Sequence, residues 1–300
     1  MSADGFDHKA TADELYRNPR LGRGFMRGQL LGMMEAWFAV FWRLAHPVME
    51  GGAPLPPVNA LKVLAWQLQQ ATAVPGAQTV ITMEKTMGRS AMTMAALPAW
   101  LGYRQWEPRE IHVAARTGAI AAEARRRHRR LALLPHHAWL KETLRFEVLE
   151  DGSERERVRP TPGQVTWGVA ADSKGRDRFL DDLIVCDPLG SASDATEAGL
   201  EALAQWLEQK QSWSRRPDRI PSITVLSEAH SGLPAVLAAR GWTHIDIPSV
   251  APDDIALPFA QDRELEWGKG KRIVLQPYTP YELGEIRRSM SAAAFEVAYS

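Results

Sequence analysis

The spacing of apolar residues in this chain changes near residue 140. Before that point they recur mostly at helical intervals; after it they gather into short runs and two-residue alternations. Leu30 to Ala45 is apolar almost all round and reads as a helix. Asn59 can cap a second helix, whose apolar positions Leu61, Leu64, Ala65 and Leu68 share one face. Val74-Pro75-Gly76 ends it, and Thr79 to Thr82 reads as a short strand. Ser90 to Trp100, rich in Met and Ala, predicts a helix. A long helix from Pro108 to Leu134 is expected next, opened by a proline in its first turn.

Beyond residue 140, Thr143 to Val148 and Arg155 to Val158 flank Asp151-Gly152, a hairpin turn dipeptide. Gln164 to Ala171 and Arg178 to Cys186 read as two further strands. Asp172-Ser173-Lys174-Gly175 lies between them with turn chemistry, so an antiparallel hairpin is expected. Ser193 or Asp194, with Glu197, suits a capping box for a helix carrying Leu200, Leu203, Trp206 and Leu207 on one face. Pro221 to Leu226 predicts a buried strand, Leu233 to Ala239 a helix ended by Gly241, and Thr243 to Ile247 another strand. From Pro248 to Glu266 the chain reads as loop; Arg272 to Gln276 is a candidate strand, and Tyr281 to Ala294 a closing helix.

These elements predict an α+β chain of two domains: a helical half over residues 1–140, then an α/β domain with a mixed sheet over 141–300. A length of 300 residues and 45% hydrophobic content suit that division. Charged residues make up 24% and the formal net charge is zero, so the whole-chain balance does not itself call for a polyanion or a membrane surface. The one cysteine, Cys186, excludes an intramolecular disulfide and a Cys-rich zinc site; a cytoplasmic location is the expectation. Met1 to His8 carries Asp4 and Asp7 and has no apolar core of a signal peptide. Leu30 to Ala45 contains Glu35 and Arg43 and stops at Pro47, short of a membrane span. A core helix is the expected use of this run, and a docking surface for a protein partner the alternative.

The densest charge cluster is Arg125, Arg126, Arg129 and Arg130, with Arg127 and His128 among them. Such a cluster either contacts nucleic-acid phosphates or complements the dipole at a helix end. His136-His137 lacks chelating spacing, and Gly268-Lys269-Gly270-Lys271-Arg272 lacks the hydroxyl residue of a phosphate loop and reads as a turn. Trp167, Trp206, Trp213, Trp242 and Trp267 can stack on bases or sugars, but core positions explain them better. Neither Gly-x-Ser-x-Gly nor Gly-x-Gly-x-x-Gly occurs.

The order hairpin, helix, strand, helix over residues 164–250 resembles the core of the RNase H-like fold of integrases and transposases. That resemblance implies acidic residues holding divalent metals at Asp172 and Glu228, with magnesium or manganese as cofactor. Asp182 and Asp187 are substitutes, and Glu282 and Glu285 candidates for a third carboxylate. It departs from the family at Ser227-Glu228-Ala229-His230, where an Asp followed by Gly is usual. The expectation is therefore a nucleic-acid-associated protein from a mobile element or DNA-processing system. It is either a metal-dependent nuclease or phosphodiesterase, or a shape that has lost catalysis. The alternative is a non-catalytic interaction or regulatory protein.

Overall fold

The computed structural model describes residues 37–50, 59–84, 86, 88–104, 110–131, 145–148, 154–158, 163–169, 180–189, 196–212, 220–228 and 231–273. Its centre is an eight-stranded sheet. In chain order the strands are β1 (Gln78–Met83), β2 (Glu110–Ala115), β3 (Arg145–Val148), β4 (Glu154–Val158), β5 (Gly163–Val169), β6 (Asp182–Cys186), β7 (Ser222–Ser227) and β8 (Thr243–Ile247). In space they run β3-β4-β5-β2-β6-β7-β1-β8. Every pair from β5 to β8 is parallel, and β3, β4 and β5 form an antiparallel ribbon at one side.

Parallel strands need crossover connections, and these put helices on both faces. The strands are accordingly buried on both sides. Ile81 and Met83 of β1, Ile184 and Cys186 of β6 and Leu226 of β7 face one core. That core is built by α1 (Phe38–Met49), α2 (Asn59–Ala73), α3 (residues 89–104) and α4 (Gly118–Arg130). Val80, Leu183, Val185, Ile223 and Val225 face the other, closed by α5 (Glu197–Gln211) and α6 (Leu233–Ala239). The helix α3 is continuous: Arg89–Ala91, a π turn over Met92–Ala96, then Leu97–Arg104. A π turn shifts the backbone ladder, and the Met94 carbonyl inside it accepts the Trp167 indole N–H from β5 at 3.2 Å. A small antiparallel pair, β9 (Ile255–Ala260) and β10 (Arg263–Trp267), packs against the first core.

Several sequence expectations hold. β1, α6, β8 and the β3–β4 hairpin stand where they were read, and Gly241 follows α6 at a φ of 86°. Others are corrected. The helix expected from Pro108 is β2 followed by α4: Ile111, Val113 and Ala115 follow the period of a strand, and Thr117 caps α4 by accepting from Ile120 N–H at 3.3 Å. The hairpin expected between residues 164 and 186 does not form. β5 and β6 each pair parallel with β2, which lies between them, because buried apolar runs are what a parallel sheet demands. β1 and β2, which precede residue 140, pair with strands that follow it. The cap of α5 is Thr196, accepting from Gly199 N–H at 3.1 Å, in place of Ser193 or Asp194. Residues 255–267 are the β9–β10 hairpin instead of loop, turned at Asp262 with a φ of 56°. Arg272 makes a single bridge to Val250. The closing helix expected at 281–294 lies outside the described residues.

Among the described residues no helix is long and apolar enough to cross a membrane. Helix α1 turns Phe38, Phe41, Trp42 and Ala45 into the chain's own core, which agrees with the core reading for the described part of the apolar run; residues 30–36 lie outside the described residues.

Candidate functional site

Parallel strands end on one edge of the sheet, and here the carboxyl ends of β6, β7 and β1 lie side by side. After β1 the chain passes β7 and β6 to reach β2; after β7 it steps over β1 to form β8. The helices that follow β1 and β7 pack on opposite faces of the sheet, and neighbouring strand ends whose connections part in this way are where open α/β sheets take ligands.

Residues 84, 86 and 88, between β1 and α3, lie at this edge. Gly88 has a φ of 87°, and a Cβ there would stand 3.2 Å from the Trp42 ring. The positive φ is what favours glycine here, and a side chain would also press on the Trp42 ring. Arg89 follows, and its side chain is 1% exposed. One arm of its guanidinium donates to the Met83 carbonyl at the end of β1, and the other to the Asp187 carboxylate just past β6. Asp187 has a φ of 45°, and its N–H donates to the Leu226 carbonyl of β7 at 2.8 Å. One ion pair therefore ties β1, α3 and β6 together, while the backbone of Asp187 holds on to β7.

Burial disfavours the Arg89 charge, but the facing Asp187 carboxylate, aided by Glu228, outweighs it and holds the guanidinium above its ordinary range. Beside the pair, the Cys186 thiol is buried and lies 3.9 Å from Ser90 Oγ and 3.7 Å from Asp187 Oδ2. Burial, then the neighbouring Asp187 carboxylate, pushes this thiol far up, and Arg89 opposes them only in part. Two buried polar atoms near the pair make no hydrogen bond to the described residues: Asp187 Oδ1 and Thr86 Oγ1.

The residues singled out from sequence fall differently. Asp172 lies outside the described residues, as do His136, His137, Trp213, Glu282 and Glu285. Asp182 is buried at the amino end of β6, in register with Ser222. Glu228 lies past the opposite end of β7. The six-residue strand between them spans roughly 20 Å at about 3.3 Å per residue, so Asp182 and Glu228 cannot share a metal pair. The substitute Asp187 is the acid that joins Glu228 at one edge. Among the described residues no group of three or more His, Cys, Asp and Glu is placed to hold a metal by itself.

The arginine cluster is divided by the helix. Arg126 and Arg129 are exposed, and Arg126 forms two bonds to Glu123 at 2.8 and 2.9 Å. That contact is the main reason the Glu123 carboxylate is held below its usual range. Arg125 is half-buried. Arg127 pairs with Glu50 at 2.8 Å, and Arg130 donates to the Met49 carbonyl at 2.6 Å, so these two fasten α4 to the end of α1. Trp167 and Trp242 are core residues. Around Gly268 the Lys269 N–H donates to Asp254 at 2.7 Å, and this segment is the turn expected of it.

Sequence reading passed over Gly88-Arg89-Ser90. A usable signal was there: an apolar strand at 79–82, a short polar stretch, then Gly, a cation and a hydroxyl at the start of a helix.

No protein-family model and no curated protein sequence matches the chain. Solved structures with a similar shape are large terminases. The large terminase of a thermophilic bacteriophage aligns at 10% identity and a TM-score of 0.42, over 81% of this chain and 52% of its own. The HK97 bacteriophage large terminase aligns at 14% identity and a TM-score of 0.45, over 68% of this chain and 41% of its own. A mutant ATPase domain from a Thermus phage large terminase aligns at 14% identity and a TM-score of 0.33, over 58% of this chain and 70% of its own. The chain thus spans about half the length of the first two.

Two expectations follow for the site in solution. Asp187→Ala leaves a buried guanidinium unopposed and should cost about 3–5 kcal/mol, measured by urea denaturation at neutral pH; an unchanged midpoint would mean the pair does not form. The raised Cys186 value sets a sign for alkaline pH. Above the ordinary thiol range the unfolded chain loses this proton while the folded chain keeps it, so stability falls as pH rises. Cys186→Ala should flatten that decline, and a thiol reagent should label the native protein only when denaturant is added.

Proposed function

We propose that this chain binds a nucleoside triphosphate at the β1–α3 loop and works in association with nucleic acid. The observation that carries the reading is the Arg89–Asp187 pair at the carboxyl edge of a parallel sheet, on a loop that enters a helix. Phosphate loops follow the order strand, Gly-x-x-x-x-Gly-Lys-Ser/Thr, helix. Residues 83–90 read Met-Glu-Lys-Thr-Met-Gly-Arg-Ser in the same order. The second glycine and the hydroxyl are in place; Arg89 stands for the lysine, and Met83 for the first glycine.

Each difference has a physical meaning. Arginine keeps the cation and adds a planar fork that suits a phosphate. Met83 closes β1 with a buried side chain, which narrows the freedom of the loop at its start. Amide groups at a helix start favour anions, and α3 is a long helix that begins at this loop. Among side chains, Ser90 and Asp187 are those suited to magnesium. Asp187 Oδ1 makes no hydrogen bond to the described residues, and magnesium commonly takes one or two carboxylates and completes its shell with substrate phosphates and water. When bound, the metal would neutralise phosphate charge. Arg89 binds and orients the phosphates, and Gly88 lets the backbone approach them.

Nucleic acid is the proposed partner through the exposed Arg126 and Arg129. A second reading keeps the metal-dependent nuclease of RNase H-like type. What favours it is the meeting of two acids, Asp187 and Glu228, at one sheet edge.

Magnesium ATP should raise the melting temperature of the protein, with a stabilisation of about 2.7 kcal/mol at a hundredfold excess over Kd. Arg89→Ala should abolish the shift and Arg89→Lys should retain part of it. No shift at millimolar ATP would remove the nucleotide reading. In parallel, anisotropy titration of a DNA duplex should show salt-sensitive binding that Arg126→Glu with Arg129→Glu weakens. A plasmid incubated with magnesium or manganese tests the nuclease reading, which needs cleavage that Glu228→Gln abolishes.

A further inference from the structure

We infer that two copies of this chain associate through the outer edge of β8, which pairs antiparallel with itself about Ile245 and joins the two sheets into one. The pairing needs no ligand and stands apart from the nucleotide reading.

β8 ends the strand order, and among the described residues it pairs only with β1. An edge strand offers a row of backbone donors and acceptors to another strand. The side chains of this one are open to solvent: Thr243, His244 and Asp246 are exposed, and Ile245 is half-buried at the rim of the first core. They are also held in place. Thr82 of β1 donates to the Asp246 carboxylate, and its hydroxyl oxygen lies 3.2 Å from His244 Nε2. In register His244 stands beside Val80, so both side chains lie on the face that α5 and α6 cover.

The partner follows from the order Thr243-His244-Ile245-Asp246-Ile247. A strand that pairs antiparallel with its own copy keeps the pleat matched only when the two-fold axis passes through a residue. An axis at His244 sets imidazole against imidazole, and an axis at Asp246 sets carboxylate against carboxylate. An axis at Ile245 sets His244 of each copy opposite Asp246 of the other. Thr243 then faces Ile247, and Ile245 faces its own copy. Unlike groups directly opposite each other stabilise a sheet, and like charges destabilise it. The central register is also the one that uses the whole strand.

The helix above this edge fits the same axis. α6 packs on both β1 and β8, so it lies about half a strand spacing inside β8, and the two-fold axis about half a spacing outside. With strands about 4.8 Å apart, the two α6 axes come to roughly 10 Å, the separation of packed helices. So close an approach needs small side chains on the facing flanks. Leu233, Pro234 and Leu237 of α6 are buried, and Arg240 donates to Glu201 and Glu208 on the α5 flank. At about 100° per residue, the opposite flank carries Ala235 and Ala238, and both are exposed.

Sedimentation velocity of the whole chain, from micromolar to submillimolar concentration, should show the mass rising from one chain to two. His244→Asp and Asp246→His should each weaken the association on the order of tenfold, because two cross-strand pairs change from unlike to like. An equimolar mixture of these two variants should recover it, since unlike groups again face each other in both pairs. That recovery separates the register of β8 from damage to the fold. Ala238→Glu, at an exposed position, should abolish dimers and leave the far-ultraviolet circular dichroism unchanged. A single chain at every concentration would overturn the proposal. So would dimers that survive both His244→Asp and Ala238→Glu, which must use another surface, or a mixture that associates no better than its components. Slow hydrogen exchange along β8 in a monomer would mean that the chain covers its own edge, which also overturns it.

Discussion

The carboxyl edge of this sheet depends on one charge buried at an unusual place. Arg89 is inside the protein at the first turn of α3, and its guanidinium is satisfied by a strand-end carbonyl and by the carboxylate beyond a second strand. A buried ion pair seldom adds net stability over an apolar pair, because desolvating two charges offsets their attraction. Its value is in what it specifies. The Arg89 fork can be satisfied only if β1 and β6 end at the same level and α3 starts directly above them. β7, which lies between the two strands, is drawn in by the Asp187 N–H donating to Leu226. The pair therefore acts as a register pin for the edge on which Gly88, Ser90 and Glu228 also lie.

The rest of the architecture can be understood as support for that edge. Six parallel strands need both faces covered, and two cores meet the need. The first, under α1 to α4, holds α3 against β1 and β6; Gly88 turns the loop against Trp42 of α1, and Arg127 and Arg130 fasten α4 to the end of α1. The second, under α5 and α6, anchors α6, which begins at Leu233 after Gly232. Arg127 and Arg130 are thus part of the fold's fastening, while Arg126 and Arg129 are exposed.

What could be read from the residues alone was local. Strands bounded by turn residues, such as 243–247, and the Asp151-Gly152 hairpin carry their own signals, and those readings agree with the structure. Pairing across the sheet carries none. Nothing in Gln164 to Cys186 says that its two strands are separated by β2, which comes some fifty residues earlier, and turn chemistry at Asp172-Gly175 favours the wrong partner. Ile111, Val113 and Ala115 were hidden because four apolar or small residues, Ile111, Val113, Ala114 and Ala115, before an arginine-rich helix satisfy a helical template as well as a strand. At the site, Asp187 and Glu228 were visible as acids, but their neighbourhood was not, because it is made by strand order. Gly88-Arg89-Ser90 was legible in principle. It was passed over because Arg89 stands where the phosphate-loop pattern has lysine and Met83 where it has the first glycine, so the pattern itself does not match.

That replacement bears on how the site works. A lysine at this position would offer one compact, mobile charge. An arginine satisfied on two sides is a fork already committed, so a phosphate must compete with Asp187 for it or share it. Sharing is the easier course, because a guanidinium has five donors and the Asp187 contact leaves Oδ1 for a cation. Phosphate, arginine, carboxylate and metal would then alternate in sign around one point, each charge next to an opposite one. In the proposed site, binding would enlarge the Arg89–Asp187 ion pair already present.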